Sequence, residues 1–132
     1  GAQRGWEVSL VNEMLIQMES FDGVFIASTN LMAGLDRAAL RRFDLKVKFD
    51  FLAAEQAWSL LLRHCDRLQI APPCVALKPR LKLAPTLTPG DFAVVARQHT
   101  FRPLGGADDF VAALEAEILL KEGCARPIGF LQ

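Results

Sequence analysis

Hydrophobic side chains recur along this chain in two rhythms, and the change between them falls near residue 50. Val24, Phe25, Ile26 and Ala27 are apolar in succession, which predicts a strand covered on both faces, as in parallel sheets. In residues 45–49, Val47 and Phe49 alternate with Lys46 and Lys48, which predicts a second strand with one wetter face or a place near a sheet edge. About fifteen residues lie between the two, enough for one short crossover helix, expected over residues 35–43. Ahead of them, Val8, Val11, Leu15 and Met18 follow helical spacing, and Leu10, Met14 and Ile16 widen the stripe. A largely buried helix is expected there, while residues 1–7 carry no pattern and read as a loop.

Asp50, Phe51 and Leu52 form an expected hinge, after which the pattern is helical. Ala54, Ala57, Trp58, Leu61, Cys65 and Leu68 share one face of a helix over residues 53–68, with Gln56, Ser59, Arg63, Asp66 and Arg67 on the other. Trp58 reads as a core anchor. Pro72, Pro73, Pro79 and Pro85 bar a long helix from residues 70–87, leaving room for a single turn over residues 80–84 with Pro79 at its first position. Thr88, Pro89, Gly90 and Asp91 open the next helix: a hydroxyl N-cap, a proline at the first position and an acid able to reach back as half of a capping box. Phe92, Val95 and Ala96 supply its buried face as far as His99. A last helix is expected over residues 107–122, with Asp108 and Asp109 in its first turn, Lys121 in its last, Gly123 as a stop and residues 124–132 as a tail. Ala107, Phe110, Val111, Leu114 and Ile118 form its core stripe.

Composition narrows the options. The chain has 132 residues, 52% of them hydrophobic, enough for a real core. Fifteen basic residues balance fifteen acidic ones, so no global field draws the chain to nucleic acid or an acidic membrane. No run is long and apolar enough for a membrane span and no secretory signal opens the chain, so a cytoplasmic setting is expected. Cys65, Cys74 and Cys124 lack paired spacing and read as reduced thiols. His64 and His99 have no ligand spacing, so no metal site is expected. Lys78, Arg80 and Lys82 make a local basic cluster without interleaved aromatics, a weak signal for nucleic acid.

Candidate chemistry gathers at the end of the first expected strand. Ser28, Thr29 and Asn30 are the first polar residues after the apolar run, and in open parallel sheets ligands lie outside the carboxyl ends of strands. An amide there can hold a phosphate oxygen and an attacking water. Arg41 and Arg42 close the crossover, and a guanidinium grips phosphate through several donors in a fixed fork. On the residues alone, Asn30 could instead cap the following turn, and the two arginines could complement the dipole of the helix they end.

Ser28-Thr29-Asn30, followed by Leu35-Asp36-Arg37-Ala38-Ala39-Leu40-Arg41-Arg42-Phe43-Asp44, resembles the second region of homology of AAA+ ATPases. The resemblance makes Asn30 the sensor-1 residue and Arg41 and Arg42 the arginine fingers. Many members place Pro-Gly between the arginines; here they are adjacent, as in the microtubule-severing and ESCRT-disassembling branches, and Leu31 replaces the usual Arg after Asn. In AAA+ lids the helix start resembling Gly90-Asp91 borders the adenine pocket, which makes Gly90 and Asp91 nucleotide-contact candidates beside their capping role. No sensor-2 arginine stands between Thr88 and Phe92.

The phosphate loop and the acidic-pair strand of a hydrolysing site are absent: no lysine follows a glycine, and the only adjacent acids, Asp108 and Asp109, start a helix. The pore loop is absent too. The implied fold class is α/β plus all-α: a C-terminal remnant of a parallel-sheet P-loop NTPase subdomain over residues 1–50, then a helical lid over residues 51–132. The resemblance implies an intact protein that uses ATP and Mg2+ in a hexameric ring to remodel a protein or complex. This stretch alone is expected to be inactive and to hold no cofactor. A non-catalytic helical interaction module and a clamp-loader or helicase component are the alternatives.

Overall fold

The structure, a computed structural model, describes residues 2–30 and 34–124. Leu31 and the expected tail from residue 125 onward lie outside them. The chain divides into two units, Gly1–Lys48 and Phe49–Gln132.

The first unit holds helix α1 (Ala2–Glu19) and the four-residue helix α2 (Arg37–Leu40). Helix α1 takes in residues 2–7, which lack hydrophobic periodicity but contain no proline to prevent the helix from starting early. Leu15 is buried, whereas Leu10 and Ile16 are exposed, so the helix is less covered than its apolar content predicts. Asp36 caps α2 through a hydrogen bond from the Ala38 amide to Oδ1 (3.2 Å). The crossover helix is shorter than expected because its last residues tighten into i→i+3 bonds, Arg42 N to Ala39 O and Phe43 N to Leu40 O (both 3.2 Å).

Neither expected strand is present, and among the described residues there is no sheet at all. The α/β part of the predicted fold, a parallel-sheet remnant, is therefore overturned. The run at 24–27 was expected to be covered on both faces, yet Val24 is 84% and Ile26 85% exposed. Val47 and Phe49 are exposed as well. Apolar succession identifies segments that would suit a sheet interior, but a strand exists only when neighbours take up its amides and carbonyls. Among the described residues neither segment pairs with another as a strand. A tilted contact between Phe25 and Phe43, ring centroids 6.4 Å apart, is a side-chain link between the first segment and the end of the crossover.

The second unit is helical throughout: α3 (Ala54–Arg67), a 3-10 turn (Val75–Leu77), α4 (Lys78–Lys82), α5 (Pro89–Phe101) and α6 (Ala107–Cys124). Helix α3 packs on α4 and α5, and α5 on α6. Leu61, Leu87, Phe92, Phe110 and Leu114 are fully buried where these helices meet. Ala57, Leu61 and Cys65 form the buried stripe of α3, spaced i, i+4, i+8. The proline-rich stretch gives its turn earlier than expected, at 75–82, because Pro79 lies inside the first turn of α4, where no intrahelical amide is needed. Gly123 does not end α6, which runs to Cys124.

Three hydrogen bonds fix the ends of α3. The Gln56 side chain accepts a hydrogen bond from the Ala53 amide (2.9 Å), and the Leu52 amide donates to the Leu87 carbonyl (2.8 Å). At the other end, the Ile70 amide bonds back to the Cys65 carbonyl (2.8 Å) across Gln69, whose φ is 58°. This is a Schellman-type stop with a non-glycine residue in the left-handed region. Gln69→Gly is expected to stabilise the unit by about 1 kcal/mol, measured by urea denaturation, since the left-handed conformation costs an L-residue roughly that much. A destabilised variant would show that Gln69 is held there by its own side chain.

Candidate functional site

Each unit carries part of the candidate chemistry. In the first, Asn30 sits in an exposed bend and makes no side-chain hydrogen bond among the described residues. With no strand before it, the strand-end placement that the sequence suggested is missing. Arg41 is the C-cap of α2, its amide bonded to the Arg37 carbonyl (3.1 Å), and its exposed guanidinium meets no carboxylate among the described residues. Arg42 pairs with Glu19 at 2.9 Å, both side chains about half exposed (42% and 57%). Such a wet pair is weak enough to be exchanged for a phosphate, contributing about 1 kcal/mol or less. The two adjacent arginines thus differ: among the described residues Arg41 has no ion-pair partner, while Arg42 is lightly held.

In the second unit, the start of α5 is a closed polar corner. The Thr88 hydroxyl accepts from the Asp91 amide (3.3 Å), and Asp91 Oδ2 accepts from the Thr88 amide (2.9 Å) and hydroxyl (3.1 Å). Lys121 Nζ, from the far end of α6, donates to the same oxygen (2.7 Å) and to the Thr86 carbonyl (3.0 Å). Burial of Asp91 pushes its carboxyl up, but the hydrogen bonds from Lys121 and then Thr88 outweigh it, so the net displacement is downward. Asp91 is the one buried charged residue among those described, and Oδ2 is fully engaged. The capping role expected of Asp91 is thus present in full, and Gly90 beside it is exposed. Lys121 is the partner that sequence reasoning missed: it lies thirty positions away, and nothing local marks it beyond its place in the last turn of a helix.

Beside this corner lies a surface cleft of about 420 Å³, lined by Leu52, Glu55, Gln56, Ser59, Leu60, Arg63 and Pro89. Leu52, Leu60 and Pro89 give it apolar walls, and Gln56, Ser59 and Arg63 bring polar groups from the exposed face of α3. That volume is within the range of small-ligand sites. Among the described residues no group of three His, Cys, Asp or Glu side chains converges as a cation site.

Further along α3, the His64 ring stacks on Phe92 (centroids 5.8 Å, planes 20° apart) and tilts against Phe110 (5.8 Å). Burial, then the charge of Arg67, hold its imidazole below the ordinary histidine value. Cys65 is buried and Cys74 exposed, both free thiols, and burial pushes the Cys65 thiol up, away from reactivity. Two members of the basic cluster are engaged within the chain. Lys78 lies over the Trp58 ring (5.3 Å) and near Glu55 (3.8 Å), and Arg80 makes a two-pronged pair with Glu115. No described helix is long and apolar enough to cross a membrane.

No family model, curated protein or solved structure matches this chain.

Proposed function

We propose that the chain is the C-terminal part of an AAA+ ATPase module, working in a cytoplasmic hexameric ring that couples ATP hydrolysis to remodelling of a protein or protein complex. The observation that carries it is the run of residues 28–44, ending in two exposed arginines of which Arg41 has no carboxylate partner among the described residues and Arg42 only a wet one. A guanidinium free to leave its own chain can reach a neighbour's phosphates, where such a group contributes roughly a thousandfold or more in rate. The helical unit supports it with a cleft beside the start of α5, open to an adenine-sized ring, with Arg63 at its edge. Asn30 serves the nucleotide of its own subunit, and Gly90 and Asp91, which follow the cleft-lining Pro89 in sequence, contact the base. With Lys78 and Arg80 occupied internally, the helical unit favours a protein-handling ATPase over a clamp-loader or helicase component.

The test is turnover in a protein that contains this chain together with a phosphate loop. Arg41→Ala is expected to cut ATP hydrolysis by about a thousandfold, while binding of a fluorescent ADP analogue by each subunit persists. Unchanged turnover in both Arg41→Ala and Arg42→Ala overturns the assignment.

A further inference from the structure

Helices α3 and α5 flank a second depression, separate from the cleft at the α5 start, of about 290 Å³ and lined by His64, Arg67, Leu68, Ala93, Ala96 and Arg97. Its lining includes two arginines and no acidic residue. Elsewhere in this unit Lys78, Arg80 and Lys121 each meet an acid, but neither Arg67 nor Arg97 has an ion-pair partner among the described residues. The sequence provides none within helical reach. Three and four positions from Arg67 stand Arg63, His64, Ile70 and Ala71; around Arg97 stand Ala93, Val94, Thr100 and Phe101. Two like charges at one depression repel, and an anion between them removes that cost. The remaining lining, Leu68, Ala93 and Ala96, is apolar. One helical turn beyond Arg97, on the same face of α5, the Phe101 side chain is 89% exposed.

We propose that this depression is a docking site for an acidic segment of a partner protein, with a carboxylate seated between Arg67 and Arg97 and a neighbouring apolar side chain on Leu68, Ala93 and Ala96. Phe101 provides a second apolar anchor a turn further along α5. Charge complementarity selects the occupant, and size refines it. The volume falls just below the roughly 300–1,000 Å³ of sites that enclose a drug-sized ligand, and it suits one or two side chains. Nucleic acid is disfavoured because fifteen basic residues balance fifteen acidic ones, so no global positive field draws a phosphate backbone to the chain. No part of the site belongs to the Gly1–Lys48 unit, and no nucleotide is involved, so it stands whether or not the ATPase assignment does.

The experiment is fluorescence anisotropy on the full chain with a labelled short peptide alternating glutamate and leucine. Saturable binding that weakens with added salt is expected. Arg67→Glu and Arg97→Glu should each weaken it by about tenfold or more, the loss of one charge-assisted contact, while Lys82→Glu on α4 leaves it unchanged. Far-ultraviolet circular dichroism of the variants should match the parent, since both arginines are exposed, and Arg97→Gln provides a milder second variant expected to weaken binding in the same direction. Absence of saturable binding overturns the proposal, as does equal affinity of the glutamate variants and the parent. A single-stranded oligonucleotide bound more tightly than the peptide at the same site overturns it too, in favour of phosphate.

Discussion

Replacing Phe92 by alanine is expected to destabilise the helical unit by about 3–5 kcal/mol, the usual cost of emptying a large aromatic site. Phe92 is fully buried and touches the ring of Phe110 (centroids 5.9 Å) as well as that of His64 (5.8 Å), so it joins α5 to both α3 and α6. Removing it leaves a void that helices fixed at several points cannot collapse to fill. Since small domains are held by roughly 5–15 kcal/mol in total, much of the native population would be lost near physiological temperature. Urea denaturation followed by circular dichroism measures the change. Leu83→Ala, at a position 84% exposed, serves as the control and should move stability by about 0.5 kcal/mol or less. A Phe92→Ala loss no larger than the control's would mean that the three-ring contact is not the centre of this core.

The second large effect is expected at Asp91. Asp91→Ala removes half of the α5 capping box and leaves Lys121 with only the Thr86 carbonyl, a loss of about 2–4 kcal/mol from the cap and the charge-assisted bond together. The pH dependence has a defined sign. The folded carboxyl titrates below its unfolded value because the bonds from Lys121 and Thr88 favour the ionised form. Its contribution is therefore complete above the unfolded carboxylate value, near pH 4, and is lost as the pH falls through the lower folded value. The parent should lose stability in that acidic window, and Asp91→Ala should lose less there. Parallel pH–stability curves for the two would show that Asp91 is not ionised and paired in solution.

The helical unit was largely legible in the sequence because its signals are local. The Thr88 cap, Pro89 at the first helical position and the acid at Asp91 all lie within four residues, and the structure gives that capping box as read. The stripe of Ala107, Phe110, Val111 and Leu114 is buried as its spacing indicates. What failed was the pair of strands. Periodicity reports what a segment would prefer if a sheet surrounded it, and residues 24–27 and 45–49 have no strand beside them among the described residues. Asn30 lost its expected geometry for the same reason. The Asp91–Lys121 pair and the two-arginine depression were invisible for another: each joins residues about thirty positions apart, and only the packing of α5 on α6 and α3 brings them together. Gln69 gave no signal either, since glycine or asparagine is the usual mark of that stop.

The hydrogen bond from the Leu52 amide to the Leu87 carbonyl spans the entry of the chain into the helical unit. Leu87 immediately precedes Thr88, so tension applied to the backbone ahead of Leu52 is delivered one residue away from the α5 cap. The helical unit is therefore geared at its entrance: a tug on the incoming chain strains the threonine–aspartate–lysine latch directly, before it has to deform any helix.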